Sequence, residues 1–145
     1  MAQRIPTSND LLSSYENTPY PDLCYTQTHP DRLATLARLL GLNPTPITNC
    51  RVLELGCASG GNLIPMAYGL PESEFVGVDF SAVQIEQGQQ TIAALGLENV
   101  TLLAEDILQL TAAFGPFDYI IAHGVYSWVP AKVRDKLLAL CGELL

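Results

Sequence analysis

The chain has 145 residues, of which 48% are hydrophobic, 15% charged and 8% aromatic; that is one domain's length, and a composition that suits a globular rather than a disordered chain. Seven basic residues stand against fifteen acidic, a net charge of -8, which argues against partners that demand a positive face, nucleic acid and anionic membrane surfaces alike. No apolar run approaches the ~18 residues of a membrane-spanning helix, and the polar opening MAQRIPTSND predicts no leader.

Residues 1–30 are rich in Ser, Thr, Asn, Pro and Tyr and read as an arm. Thr28-His29-Pro30-Asp31 predicts a helix start, with Thr28 as cap, Pro30 in the first turn and Asp31 complementing the dipole. Leu33, Leu36, Ala37 and Leu40 then follow at the spacing of one apolar face, and Gly41 ends the helix. Residues 42–49 are a linker. Arg51 to Leu55 reads as a buried strand, Asn62 to Leu70 as a short helix, and Glu74 to Asp79 as a second strand. Ser81 with Gln84 is a capping-box signature for a helix reaching Ala94 and closed by Gly96. Asn99 to Ala104 reads as a third strand, 107–114 as a short helix, and Phe117 to Ala122 as a fourth strand. Pro130 opens a last helix with Val133, Leu137, Leu140, Cys141 and Leu144 on one face. Strands alternating with helices over short connections imply a parallel α/β sheet with right-handed crossovers. The pattern stops after a helix, so the front half of a larger fold is expected. Cys24, Cys50, Cys57 and Cys141 form no C-x-x-C and read as reduced thiols of a cytoplasmic protein.

Four features carry chemistry. The first strand runs into Glu54-Leu55-Gly56-Cys57-Ala58-Ser59-Gly60-Gly61-Asn62, a strand–turn–helix start that places backbone N–H groups at the carboxyl edge of the sheet. The spacing is not G-x-G-x-x-G, and Glu54 suits a cationic ligand better than a pyrophosphate. Asp79 ends the second strand, where an acid can accept both hydroxyls of a ribose. Glu105-Asp106 follows the third strand, where a carboxylate can accept from an adenine amine. Ala122-His123-Gly124-Val125-Tyr126 follows the fourth. The first three each have a plainer reading, a tightly packed βα turn, a helix-dipole acid and a solvated loop acid; at the fourth, small residues and backbone carbonyls would border the reacting end of a ligand. All four fall on one rim, where open α/β sheets bind ligands. No metal-ligand cluster is expected.

The set Glu54-x-Gly56-x-x-x-Gly60, Asp79, Asp106 and the His123 segment resembles the class I S-adenosylmethionine-dependent methyltransferases over about residues 48–145. The resemblance implies a Rossmann-like sheet of order 3-2-1-4, the first four strands of that fold. It also implies S-adenosylmethionine as cofactor, with S-adenosylhomocysteine as product. Gly56, Cys57, Ala58 and Gly60 would lie along the methionine and ribose, and Glu54 near the amino group. Asp79, followed by Phe80, would hold the ribose. Glu105, Asp106 and Ile107 would read the adenine, and His123 would offer a main-chain contact near the sulfonium. A narrower resemblance, in Tyr15-x-x-x-Pro19-Tyr20-Pro21, Tyr25-Thr26-Gln27-Thr28-His29-Pro30-x-Arg32-Leu33 and Val125-Tyr126-Ser127-Trp128-Val129-Pro130, is to bacterial methyltransferases with a C-terminal regulatory domain, some of whose relatives methylate protein lysines. By it, residues 1–48 pack as an arm and helix over a cofactor domain spanning 49–145, with Tyr25, Gln27, Thr28 and His29 facing the site as a lid; the plainer reading of His29 is a helix-start residue bonded to neighbouring backbone. Trp128 reads as core. Tyr126 could line an acceptor channel, and no residue is identified as a catalytic base. An unpaired fourth-strand edge would favour a homodimer. The competing readings are a cofactor-binding or interaction module without chemistry, and an NAD-dependent oxidoreductase.

Overall fold

The computed structural model describes residues 23–145; the Tyr15 to Pro21 part of the upstream pattern lies outside them. Four strands, β1 (Arg51–Leu55), β2 (Glu74–Asp79), β3 (Val100–Ala104) and β4 (Tyr119–Ile121), form one parallel sheet of order β3-β2-β1-β4. Helices α1 (Pro30–Leu39), α2 (Leu63–Gly69), α3 (Ala82–Leu95) and α4 (Ala131–Leu144) flank it. Strand alternation divides the core in two. Val52, Phe75, Leu102, Tyr119 and Ile121 pack with Ala34 of α1, Leu63 and Met66 of α2 and Ile85 of α3. Leu53, Leu55, Val76 and Val78 pack on the other face with Phe117 and with Leu137, Leu140 and Leu144 of α4. Of the expected α4 stripe, Leu137, Leu140, Cys141 and Leu144 join this core and Val133 does not. Register sets Leu55 beside Val78 and Asp79 beside Ala104, so the strands finish on one rim.

The capping box over α3 forms by half. Ser81 Oγ accepts from the Gln84 N–H, but the Ser81 N–H donates to Asp79 Oδ1 rather than to the Gln84 side chain. Gly96 closes the helix in the left-handed conformation, φ +64°.

Four expectations differ from the structure. His29, not Thr28, caps α1: its Nδ1 accepts from the Asp31 N–H at 3.2 Å, while the Thr28 hydroxyl donates to the Tyr25 carbonyl at 2.8 Å. Only the first half of the α1 stripe meets the core. Leu33 packs against the core beside the buried Ala34, which the stripe did not include, but Leu36 and Leu40 are exposed, Leu40 by 79%, because the helix docks through its N-terminal end and runs off the sheet. Residues 107–114 form two 3-10 turns, Ile107–Gln109 and Ala112–Phe114, rather than one helix; Leu110 between them inserts into the core, which breaks a continuous helical path. Trp128 is 76% exposed, since Val125 takes the inward position of its turn, against Gly56, and leaves Trp128 on the outside. Among the described residues no helix is long and apolar enough to cross a membrane, and all four cysteines are free thiols.

Candidate functional site

The β1–α2 loop is bent by residues with positive φ: Gly56 (+76°), Ala58 (+51°) and Gly60 (+80°). Gly56 and Cys57 N–H both donate to the Val78 carbonyl, at 2.7 and 3.1 Å. The left-handed Ala58 bears a Cβ and carries strain. Asp79 offsets it: Oδ2 accepts from the Ala58 N–H and Oδ1 from the Ser81 N–H, both at 2.9 Å. Asp79, 4% exposed, therefore pins the loop to the start of α3. From below, Gly88 of α3 lies so close that a Cβ there would sit 2.4 Å from the Ser59 carbonyl oxygen.

Glu54 falls on the face of β1 that its alternation gives to the core, and it is 3% exposed. Its Oε1 accepts from Asn62 Nδ2 at 2.6 Å, while Oε2 is buried without a partner. Burial pushes the carboxyl up to about 7; the Asn62 hydrogen bond opposes this, and the Asp79 charge adds to it. Burial first, and then the charges of Asp79 and Glu54, push the Cys57 thiol up as well, so it stays protonated and acts as packing.

Asn62 opens α2 without capping it. Its Oδ1 accepts from the Tyr25 N–H at 2.8 Å and its Nδ2 donates to Thr28 Oγ1 at 3.0 Å as well as to Glu54. Residues 23–29 are thereby strapped across the rim. The Tyr25 ring lies against His123, centroids 4.0 Å apart, and Gln27 Nε2 is 3.3 Å from His123 Nε2. A cleft of about 230 Å³ opens between Gln27, Thr28 and Leu33 on one side and Ile120 to His123 on the other.

The structure thus brings Glu54, Gly56, Cys57, Ala58, Gly60 and Asp79 to one loop, and Tyr25, Gln27, Thr28 and His123 to the strap that crosses it. The others stand apart from these contacts. His29 uses its ring nitrogen to cap α1. Phe80 is half-exposed, and Glu105 is exposed, its N–H donating to the Asp79 carbonyl at 3.0 Å. Asp106 Oδ1 accepts from the Leu108 N–H and shapes the turn that holds Ile107. Asn62 joins the two groups and is not apparent in the sequence, where an Asn at a helix start reads as a cap; the only signal for it is a carboxylate eight residues earlier with no basic residue between to neutralise it. Among the described residues no group of three or more His, Cys, Asp or Glu could hold a metal ion.

Bent backbone amides beside two buried carboxylates, one with an unmatched acceptor, suit a ligand carrying both a cationic amine and a diol. Known proteins agree. A methyltransferase domain model matches residues 47–140, and the chain belongs to that family, with the Rossmann-like sheet of the class I S-adenosylmethionine-dependent methyltransferases. The chain is 48% identical over 129 residues to the uncharacterized protein RP789 of Rickettsia prowazekii, covering 89% of this chain and 23% of that protein. It is 37% identical over 134 residues to a tRNA (guanine-N(7)-)-methyltransferase of Chloroflexus aggregans, covering 91% and 55%. The solved structure of PKMT2 from Rickettsia typhi in complex with AdoHcy superposes with a TM-score of 0.84 at 45% identity, covering 88% of this chain and 25% of PKMT2. The chain therefore spans about a quarter to a half of the length of these relatives. The family's cofactor is S-adenosylmethionine, and the residues present fit it: the buried, unmatched Glu54 Oε2 is the acceptor that an ammonium group needs.

Proposed function

We propose that this chain forms the cofactor-holding part of a cytoplasmic methyltransferase whose acceptor is a protein lysine. The observation that carries the reading is the unmatched, buried oxygen of Glu54 beside the loop that Asp79 pins. Glu54 Oε2 accepts from the cofactor's ammonium. Asp79, at the carboxyl end of β2, accepts from the ribose hydroxyls, with Phe80 beside it. The backbone of Gly56 to Gly60 lies along the chain between them, Glu105, Asp106 and Ile107 border the adenine, and the His123 main chain borders the sulfonium. Tyr25, Gln27, Thr28 and His29 belong to the strap that keeps water out. S-adenosylmethionine, when bound, supplies a methyl group already activated for in-line displacement. What remains for the chain is to orient that methyl group and to exclude water.

The lysine reading is supported by the upstream Tyr25 to Leu33 pattern, by the likeness to PKMT2, and by the net charge of -8, which attracts basic segments of a protein and repels a phosphate backbone. The test has two stages. Calorimetric titration with S-adenosylhomocysteine should show saturable binding, weakened about ten- to a hundredfold by Asp79→Asn, the loss of a charge-assisted hydrogen bond. With radiolabelled S-adenosylmethionine, total cell protein and RNA, turnover by this cofactor-holding part alone should be weak, and the label it transfers should fall on lysine side chains. Absence of binding, or thermal stabilisation by NAD instead, overturns the cofactor site; label confined to RNA overturns the acceptor. We propose a homodimer as well, through the outer edge of β4, which among the described residues pairs with β1 alone. Sedimentation as a monomer at micromolar concentration would refute it.

A further inference from the structure

Asn62 touches both the floor of the cofactor site and the strap above it. It is 5% exposed, and its carboxamide is fully used. One N–H goes to Glu54 Oε1, the other to Thr28 Oγ1, and its oxygen receives the Tyr25 N–H. A residue that merely began α2 would turn its side chain back to its own helix, and Asn62 does not. The strap's second anchor lies across the rim, where the Tyr25 ring and Gln27 meet His123 at the end of β4. Between the two anchors runs the 3-10 turn Thr26–Thr28, closed by the Thr28 N–H on the Tyr25 carbonyl at 2.9 Å.

We propose that Asn62 is a positioning residue that couples cofactor binding to closure of the strap, residues 23–29; this rests on the cofactor reading above. The coupling follows from how Glu54 is shared. One carboxylate oxygen holds Asn62, and the other is the buried acceptor left for a cation. A cation at Oε2 fixes the carboxylate in its charged form and in one orientation. A charged acceptor then holds the Asn62 N–H about twice as strongly as a neutral one does. The amide fixed in this way presents its remaining N–H and its oxygen to Thr28 and Tyr25 in the geometry that closes the strap. By reciprocity, a closed strap holds Glu54 ready for the cation.

The test is amide hydrogen exchange of the strap, with and without S-adenosylhomocysteine, in wild type, Asn62→Leu and Thr28→Val. Thr28→Val leaves Glu54 and Asn62 intact and serves if Asn62→Leu does not fold. In wild type the ligand should slow exchange at Tyr25, Thr28 and His29 by about tenfold. Asn62→Leu should lose that ligand-dependent slowing at all three amides and Thr28→Val at Thr28 and His29, since the Tyr25 N–H still donates to Asn62 there, and the affinity of both should fall about tenfold through faster dissociation. A merely structural role would change exchange in the free chain but not the difference that ligand makes. Ligand-dependent slowing retained at Thr28 and His29 in either folded variant overturns the inference, as does binding by wild type that leaves the strap amides unaffected. If wild type does not bind at all, the cofactor reading falls and this coupling falls with it.

Discussion

At Glu54 the demands of the strand and of a ligand oppose each other. Alternation makes its position a core position, and a carboxylate there is costly to ionise. With the folded value raised from 4.5 to about 7, the free chain keeps this group protonated where the unfolded chain has lost the proton. Its contribution to stability is therefore fully present below pH 4.5 and declines as pH rises through about 7, a loss on the order of 3 kcal/mol. Urea denaturation of Glu54→Gln should show that loss removed, so that the variant is the more stable chain at pH 8 and equal to wild type near pH 4. Matching pH profiles would refute the assignment. Linkage also gives the ligand's signature: a cation at Oε2 lowers the value again, so binding of S-adenosylhomocysteine near pH 6.5 should release a proton. Calorimetry in buffers of differing ionisation enthalpy measures it. Glu54 and Asp79 were legible because acids at strand ends are conspicuous in an apolar run. Asn62 was not, since its role depends on which side chain ends up eight residues upstream in space, and spacing along a loop does not carry that.

At the level of elements, the glycine loop makes a sharper demand than flexibility. Gly56 has φ +76°, and a Cβ there would meet Val125 Cγ2 at 2.3 Å. Gly56→Ala should cost about 1–3 kcal/mol in thermal or urea unfolding. Adding Val125→Ala should recover the steric share and leave the dihedral share, so full recovery would mean that φ carries no penalty. On the opposite face Leu140 of α4 is fully buried, in the cluster that also holds Leu53, Leu55, Leu110 and Phe117, and Leu140→Ala should cost about 2–5 kcal/mol. The strands were readable as apolar runs cut off by Gly or Asp; β1 and β2 run over the residues expected. The α4 stripe was readable from its spacing. The α1 stripe and the 107–114 segment were not, for a shared reason. Periodicity reports which residues could be buried on a helix, whereas burial is decided by how far the helix overlaps the sheet and by whether a residue such as Leu110 is drawn into the core instead.

For the molecule as a whole, strand order was legible only through the resemblance to a known family, because four apolar strands in a row are compatible with several orders. Exposure of the sole tryptophan is a property of the tertiary arrangement too, and it contradicts the usual preference of that side chain. Fluorescence of the intact chain should show the red-shifted emission of a wet indole, quenched by acrylamide nearly as fully before as after denaturation; a blue-shifted, protected band would place Trp128 in a core.

Asp79 fastens Ala58 in its left-handed conformation with hydrogen bonds wholly internal to the protein. The floor of the site is accordingly finished when the chain folds, and an arriving ligand has no loop to order. Association should then be gated by how often the segment above swings clear, which makes the encounter rate sensitive to solvent viscosity while the bound pose stays the same.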